Sequence, residues 1–353
     1  MRYKILFIVL CTAVPLAVVE WYARGRFADY ADDERYRQMA FDRLLNSLVI
    51  PATDRPNSPL FGYALTPHAQ RTVETDDYTY RIQTNSVGFR TREIAPPEPN
   101  QRRLLLFGDS MFFGVGLDEE RTLAGQLEHM SAAAGQPVAV YNYAMMGFST
   151  VQALIAAHTF APQLQPDHMV LGIFLANDLL PNAISHADSN NHLAYDPERI
   201  AHLRNALHAR LNPLMSSMAL RAWALEAWTP RLRYMFSSEE RFLQSTYRLI
   251  DDFAALADSL QARASIVIIY PRYAVETSLV RLWSGSRTPG TALVHYARTR
   301  GVPTLDLLDY MDGNDDARRY YYTTDGHFNE AGNARVAQAI YDDLIGPHMS
   351  EKK

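Results

Sequence analysis

Cysteine is almost missing from this sequence: among its 353 residues the only one is Cys11. A disulfide within the chain is therefore excluded, and cysteine usage does not reveal the redox compartment. The 11 histidines are scattered along the chain, and no group of Cys and His residues has the spacing of a zinc site. We therefore expect no metal ion.

An excess of positive charge and a phosphate-binding loop are also missing. The net charge is -5 and the pI is about 6.1, which argues against nucleic acid as a partner. Residues 107–116, FGDSMFFGVG, fit neither the dinucleotide-binding pattern nor a Walker loop. We therefore expect no nucleotide and no other cofactor. With 48% hydrophobic and 21% charged residues, the composition is that of a globular protein.

The N-terminus carries a long uncharged apolar run. Arg2 and Lys4 precede residues 5–19, ILFIVLCTAVPLAVV, and Glu20 follows them, where its side chain can reach a membrane interface. We predict that residues 1–26 are an uncleaved membrane anchor; a cleaved signal peptide and a buried helix are the alternatives. The anchor would place the catalytic part of the chain outside the cytoplasm, in the periplasm.

Residues 27–100 are predicted to form an N-terminal extension. A charged amphipathic helix is expected over residues 27–50. Residues 78–89, YTYRIQTNSVGF, alternate like a strand, with a turn signal at Asn85. The segment APPEPN at 95–100 is typical of a linker and marks the boundary of the next domain.

Beyond this boundary, short apolar runs alternate with helical patterns, and we assign residues 101–348 to one domain. Such alternation predicts right-handed βαβ units and a parallel sheet covered on both faces, which is an α/β fold. The predicted strands are 102–107, 138–144, 167–175, 265–270 and 302–307. The predicted helices are 118–135, with Asp118 as N-cap, 149–164, 239–263, 290–301 and 329–345.

Residues 197–236 are predicted to be a helical insertion between the third and fourth strands. This segment is rich in Leu, Met and Trp. Three interpretations are open: a lid, a surface that faces lipid, or a helix pair packed on the core.

Residues suited to acyl transfer follow four of these strands. In parallel sheets, sites form at the carboxyl ends of the strands. Ser110 follows the first strand, Gly147 the second and Asn177 the third, and Asp325 and His327 come after the last. Ser110 would be the nucleophile and His327 its base, while Asp325 would hold the imidazole. The N–H groups of Ser110 and Gly147 and the amide of Asn177 would form an oxyanion hole.

Each of these residues alone is more simply explained as part of a turn or a cap. Gly-Asp-Ser after a strand is often a turn, and Asp-Gly-His is usually a solvated one. Their joint occurrence, each after a strand and in chain order, favours catalysis.

These segments resemble the four sequence blocks of the SGNH/GDSL hydrolase superfamily: FGDSMFFGVG, NYAMMGFST, FLANDLL and DGHFNEAGN. The resemblance implies a flavodoxin-like three-layer α/β/α fold with a central parallel sheet, and serine esterase, lipase or acyltransferase chemistry without a metal. It gives Ser110, Gly147, Asn177 and His327 the same roles as the argument from the residues. The N-terminal part is similar to membrane-anchored bacterial members.

Two positions depart from the family pattern. Leu175 stands where the third block usually has glycine. In the last block Thr324 occupies the usual aspartate position and Asp325 lies two residues before His327, a spacing similar to that of exopolysaccharide O-acetyltransferases. A backbone carbonyl is therefore an alternative partner for the histidine. Asn85 and Arg90, in the segment TNSVGFR, are expected to stabilise a turn, with contact to the site as the alternative.

The sequence therefore predicts a serine esterase that hydrolyses an acyl ester of a glycan or lipid through an acyl-Ser110 intermediate. Two alternatives remain: an O-acyltransferase that acts on a cell-envelope glycan, and a non-catalytic glycan-binding protein with the same fold.

Overall fold

The computed structural model describes residues 2–46, 57–95, 101–226, 239–275, 287–311 and 317–348. Contacts divide the chain into two compact units. One unit comprises residues 1–49 and 197–233, and the other comprises residues 50–196 and 234–353.

The strands and helices are numbered along the chain. The strands are β1 (Asn57–Ser58), β2 (Gly62–Tyr63), β3 (Gln70–Glu74), β4 (Thr79–Gln83), β5 (Arg102–Phe107), β6 (Val138–Asn142), β7 (His168–Phe174), β8 (Ser185–Ala187), β9 (Leu193–Tyr195), β10 (Arg263–Ile269) and β11 (Thr304–Asp306). The α-helices are α1 (Arg2–Arg26), α2 (Asp33–Asn46), α3 (Ser110–Phe113), α4 (Leu123–Ala133), α5 (Thr150–Leu164), α6 (Leu179–Ile184), α7 (Pro197–Leu211), α8 (Met218–Glu226), α9 (Glu240–Ser259), α10 (Arg272–Val275), α11 (Thr288–Thr299), α12 (Leu308–Met311) and α13 (Glu330–Ile340).

The larger unit is built on a five-stranded parallel sheet with the strand order β11-β10-β7-β5-β6. The chain runs from β5 to its neighbour β6 and then returns to the other side of β5 as β7. This is the flavodoxin-like order, and it confirms the predicted fold class. In such folds ligands bind at the point of reversal, beyond the carboxyl ends of the two strands that flank it, which here are β5 and β7.

The central strands are apolar on both faces because helices cover both sides of the sheet. Residues 104–107 of β5 are at most 1% exposed. Helix α4 packs beside α13, while α9 packs against both α5 and α11. Continuous apolar runs are typical of such doubly covered strands, which is why the five predicted strands agree with the observed ones.

The start of α4 differs from the prediction. Asp118 was expected as the N-cap, but a short 3₁₀ turn, Glu119–Arg121, comes first, and Thr122 caps α4 by accepting a hydrogen bond from the N–H of Gly125 at 3.3 Å. The Asp118 carboxylate instead accepts the N–H of Arg81 in β4 at 2.9 Å. Local sequence favours Asp118 as the cap of α4, but its side chain is engaged in a tertiary contact with β4 instead.

The N-terminal extension contributes an antiparallel hairpin, β3–β4, to the larger unit. After it, the side-chain oxygen of Asn85 accepts the N–H groups of Val87 and Phe89 at 3.1 and 2.9 Å. Asn85 therefore stabilises a turn. The predicted linker at 95–100 lies almost entirely outside the described residues.

Arg90, which is buried, holds the chain that follows α3. Its guanidinium donates to the carbonyls of Gly114 and Leu117 at 3.0 and 2.6 Å and pairs with Glu119 at 2.9 Å. The contacts of Arg90 are those of a structural residue.

The smaller unit contains α1, α2, α7 and α8. Glu20 of α1 accepts hydrogen bonds at the start of α8, from the Ser217 hydroxyl at 2.8 Å and from the N–H groups of Met218 and Ala219 at 3.0 and 3.1 Å. These bonds lower the pKa of Glu20 to about 2. In α8, Arg221 is buried and pairs with Asp33 of α2.

Among the described residues, no helix is long and apolar enough to cross a membrane. The predicted membrane anchor in residues 1–26 and the predicted membrane contact are therefore not supported. Glu20, expected at an interface, caps α8 instead. The location of the domain outside the cytoplasm stays a prediction.

The predicted insertion begins with α7 and α8, whose buried residues Leu203, Leu207, Leu211 and Met218 face a helical core. Its contacts are with the N-terminal helices, α1 with α8 and α2 with α7. Residues 227–236 of the insertion lie outside the described residues.

Candidate active site

Ser110 stands at the point where β5 ends and α3 begins. Asp109 caps this short helix, and its carboxylate accepts the N–H of Met111 at 2.9 Å. Ser110 is 7% exposed. Within the described part of the chain, neither its hydroxyl nor its N–H has a hydrogen-bond partner. Both groups are therefore available to a ligand.

Gly172 of β7 lets α3 pack directly onto the sheet. A Cβ at position 172 would lie 2.9 Å from Cζ of Phe112, a distance that real Cβ contacts do not show. The ring of Phe112 is fully buried. The close approach of α3 to β7 fixes the height of Ser110 above the sheet.

Gly147 lies in the loop after β6, with a φ of +79° that favours glycine. Two hydrogen bonds hold this loop: the N–H of Met145 donates to the carbonyl of Gly108 at 3.2 Å, and the Tyr63 hydroxyl donates to the carbonyl of Met146 at 2.9 Å. No acceptor among the described residues binds the N–H of Gly147.

Asn177 follows β7 and contacts the residue before the serine. Its side-chain Nδ2 donates to Oδ2 of Asp109 at 3.1 Å. Leu175, at the usual glycine position of this block, is buried and donates its N–H to Ile269 at 3.0 Å. The substitution thus leaves the strand end in register and Asn177 beside Asp109.

Two carboxyl groups are buried beneath this edge. Burial raises the pKa of Asp109, although the nearby His327 and the Asn177 amide act to lower it. Burial and the charge of Asp109 raise the pKa of Asp178. Asp178 accepts the N–H of Phe174 at 2.9 Å and therefore braces the end of β7.

His327 and Asp325 form a hydrogen-bonded pair in the loop before α13. Nδ1 of the imidazole contacts Oδ1 of Asp325, which also accepts the N–H of His327 at 3.1 Å. Burial would raise the pKa of Asp325, but the bonds from His327 and Tyr78 lower it to about 2. Nε2 of His327 has no partner in the described residues. The partner of Nδ1 is thus the Asp325 carboxylate and not a backbone carbonyl.

The N-terminal extension also reaches this loop, which the sequence did not predict. The Tyr78 hydroxyl donates to Oδ2 of Asp325 at 2.5 Å across 247 residues of chain. Oδ2 of Asp77 accepts the N–H groups of Thr324 and Asp325 at 2.8 and 3.0 Å. The alternating pattern that begins at Tyr78 predicts a strand but not the partner of this side chain.

The structure brings the predicted residues to one edge of the sheet. Asn177 donates a hydrogen bond to Asp109, the residue before Ser110. His327, which is paired with Asp325, interacts electrostatically with the same carboxyl group and acts to lower its pKa. Gly147 joins them through the loop that is bonded to Gly108. In the described residues, no cluster of His, Cys, Asp and Glu could hold a metal ion.

A model of the GDSL-like lipase/acylhydrolase family matches residues 106–335 of this chain. The matched region is more than half of the sequence and includes all five predicted site residues. The chain therefore belongs to the GDSL-like lipase/acylhydrolase family. This finding confirms the predicted superfamily and the class of enzyme, a hydrolase that acts on ester bonds.

Solved structures are similar at low sequence identity. The lipase/acylhydrolase from Enterococcus faecalis is 15% identical, with a TM-score of 0.42, over 70% of this chain and 97% of that chain. The psychrotrophic esterase EstA from Pseudoalteromonas sp. is 12% identical, with a TM-score of 0.40, over 69% and 97%. A two-domain esterase (CEX) active on acetylated mannans is 12% identical, with a TM-score of 0.41, over 71% and 50%. Among curated proteins, none matches significantly.

Proposed function

We propose that this protein is a serine esterase that hydrolyses an O-acyl ester through an acyl-Ser110 intermediate. The observation that carries the proposal is the arrangement of His327. Its Nδ1 is bound by Asp325, which leaves Nε2 as the nitrogen that can accept a proton. The same ring interacts electrostatically with the carboxyl group of Asp109. Asp109 precedes Ser110, whose hydroxyl has no hydrogen-bond partner among the described residues.

In the first half of the reaction, Oγ of Ser110 attacks the acyl carbon while its proton passes to Nε2 of His327. The bond between the acyl carbon and the alcohol oxygen then breaks, and the imidazolium returns the proton to the departing alkoxide. Asp325 stabilises the imidazolium between these two transfers. In the second half, water attacks the acyl-enzyme by the same proton route and releases the acid.

Three donors are available for the negative oxygen that develops during each attack. They are the N–H groups of Ser110 and Gly147 and the amide of Asn177. An amide nitrogen carries two hydrogens, so the bond from Asn177 to Asp109 orients the group and leaves the second hydrogen free. One such donor typically contributes a factor of about 10²–10³ in rate.

The test is acylation of the full chain by p-nitrophenyl acetate and longer-chain esters, followed by intact mass. We expect an acyl adduct and a burst of p-nitrophenol that Ser110→Ala abolishes. Ser189→Ala is the matched control, because Ser189 is an exposed turn residue whose side chain has no hydrogen bond to the described residues. It should react like the wild type.

Adding sugar alcohols to the preformed acyl-enzyme separates hydrolysis from transfer. Release of free acid at an unchanged rate supports the esterase. Acylated sugar as the main product would establish an acyltransferase instead. A folded wild-type protein that forms no adduct with any ester would overturn the catalytic proposal in favour of a binding protein.

A further inference from the structure

We propose that Asp77 and Tyr78, at the tip of the β3–β4 hairpin, are positioning residues for the base His327. The N-terminal extension would then complete the active site of the domain that follows it. This inference rests on the proposed function, in which His327 and Asp325 act as a pair.

One carboxylate oxygen of Asp77 accepts three hydrogen bonds from the chain that leads to Asp325 and His327. Its Oδ2 accepts the N–H of Thr324 at 2.8 Å, the Thr324 hydroxyl at 2.5 Å and the N–H of Asp325 at 3.0 Å. These bonds lower the pKa of Asp77, so the carboxylate is charged at neutral pH. Three donors on one oxygen fix the direction in which the Asp325 side chain leaves the backbone.

Tyr78 binds the other end of Asp325. Its hydroxyl donates to Oδ2 at 2.5 Å, while Oδ1 of the same carboxylate contacts Nδ1 of His327. The Tyr78 ring lies 4.6 Å from the ring of Tyr322, whose N–H donates to the carbonyl of His327 at 3.0 Å. The hairpin tip therefore holds the carboxylate and packs on the residue that holds the histidine backbone.

Hydrogen bonds within the hairpin tip hold the backbone of Asp77 and Tyr78. The Thr75 hydroxyl accepts the N–H groups of Asp77 and Tyr78 at 3.3 and 3.2 Å, and the N–H of Thr75 donates to the carbonyl of Tyr78 at 2.9 Å. The turn thus orients Asp77 and Tyr78 toward the loop at 324–325. Asp77 binds the backbone of that loop, and Tyr78 binds the Asp325 side chain.

The two contacts have different chemical consequences. Asp77 contacts only the backbone and the Thr324 side chain, so it affects geometry. Tyr78 shares the negative charge of Asp325, and a carboxylate that keeps less charge stabilises the imidazolium less. Removing the hydroxyl should therefore leave more negative charge on the carboxylate that faces the imidazole. The titratable and charged groups around the pair are Asp77, Tyr78, Tyr80, Asp109, Arg272 and Tyr322.

The experiment compares Tyr78→Phe and Asp77→Ala with the wild type in the full chain. For Tyr78→Phe we expect the acid limb of the kcat/KM profile to move to higher pH by about 0.3–1 unit. The NMR resonance of the Nδ1 proton of His327, which reports its bond to Asp325, should also shift in Tyr78→Phe, and this measurement needs no turnover. For Asp77→Ala we expect kcat to fall by about 10–100-fold with little change in KM, because the base is misplaced.

Asp76→Ala is the matched control, since it removes the same charge from the same turn without a hydrogen bond to the loop. It should leave the profile and kcat unchanged. An unmoved acid limb together with an unmoved Nδ1 proton resonance in Tyr78→Phe would overturn the role of Tyr78, and an unchanged kcat in Asp77→Ala would overturn that of Asp77. Failure of the proposed function is distinguishable, because a wild type without an acyl-Ser110 adduct contradicts catalysis whatever the two variants do.

Discussion

Gly172 offers a sharp test of how the sheet positions Ser110. A Cβ at this position would lie 2.9 Å from Cζ and 3.0 Å from Cε1 and Cε2 of Phe112. The ring is 0% exposed. We predict that Gly172→Ala lowers the free energy of unfolding by about 1–3 kcal/mol, the usual cost of overpacking a core. It should also lower kcat, because Phe112 is two residues from Ser110.

A double-mutant cycle shows whether the ring is the cause. Phe112→Leu alone should cost about 1–3 kcal/mol by leaving a cavity. If the two changes acted independently, their costs would add. Because leucine lacks the ring atoms that the new methyl group meets, we expect the double variant to cost about 1–2 kcal/mol less than that sum.

The assay is urea unfolding followed by far-UV circular dichroism. Gly326→Ala is the control for the general effect of replacing glycine, because a Cβ there has no atom within 4 Å and its φ is not in the left-handed region. Its free energy of unfolding should stay within about 0.5 kcal/mol of the wild type. Strictly additive costs in the Gly172 and Phe112 cycle would refute the packing argument.

Three further predictions concern the site and its support. Asn177→Ala should reduce kcat by about 10²–10³ on p-nitrophenyl acetate; turnover within twofold of the wild type in a folded sample would remove Asn177 from the oxyanion hole. Arg90→Met should lower the free energy of unfolding in urea by about 3–5 kcal/mol, since it leaves Glu119 and buried carbonyls without their partner. The pKa of Asp325 is lowered to about 2 from 3.8, so its stabilising contribution is present above pH 3.8 and lost as the pH falls to about 2. The melting temperature of Asp325→Asn should therefore depend less on pH than that of the wild type in this window.

Much of the α/β fold was predictable from the sequence. The strands of the parallel sheet are short apolar runs because both faces are buried, and β5 occupies the predicted residues 102–107. Helices begin at local signals, as Ser149 before α5 shows by donating its N–H to the Gln152 side chain at 2.9 Å. These signals act over a few residues and are therefore visible in the chain itself.

The placement of the predicted site residues after the strands of one sheet was predictable for a related reason. A parallel sheet brings the carboxyl ends of its strands to one edge, so residues after different strands meet without any local pairing signal. The Asp-x-His spacing suffices for Asp325 to reach Nδ1 of His327, because the two lie in one loop.

Contacts between distant segments depended on the tertiary structure. The bond between Tyr78 and Asp325 spans 247 residues, and that between Glu20 and Met218 spans 198. In each case the sequence around either partner indicates only a local strand, turn or helix, because a hydrogen bond across such a distance forms only after the elements between have folded. The sequence by itself thus determined the strands of the parallel sheet, the helices that cover it and the residues that follow its strands. Only the tertiary structure decided which charged and hydroxyl groups bind the loops that carry those residues, since their partners become neighbours through packing and not through spacing.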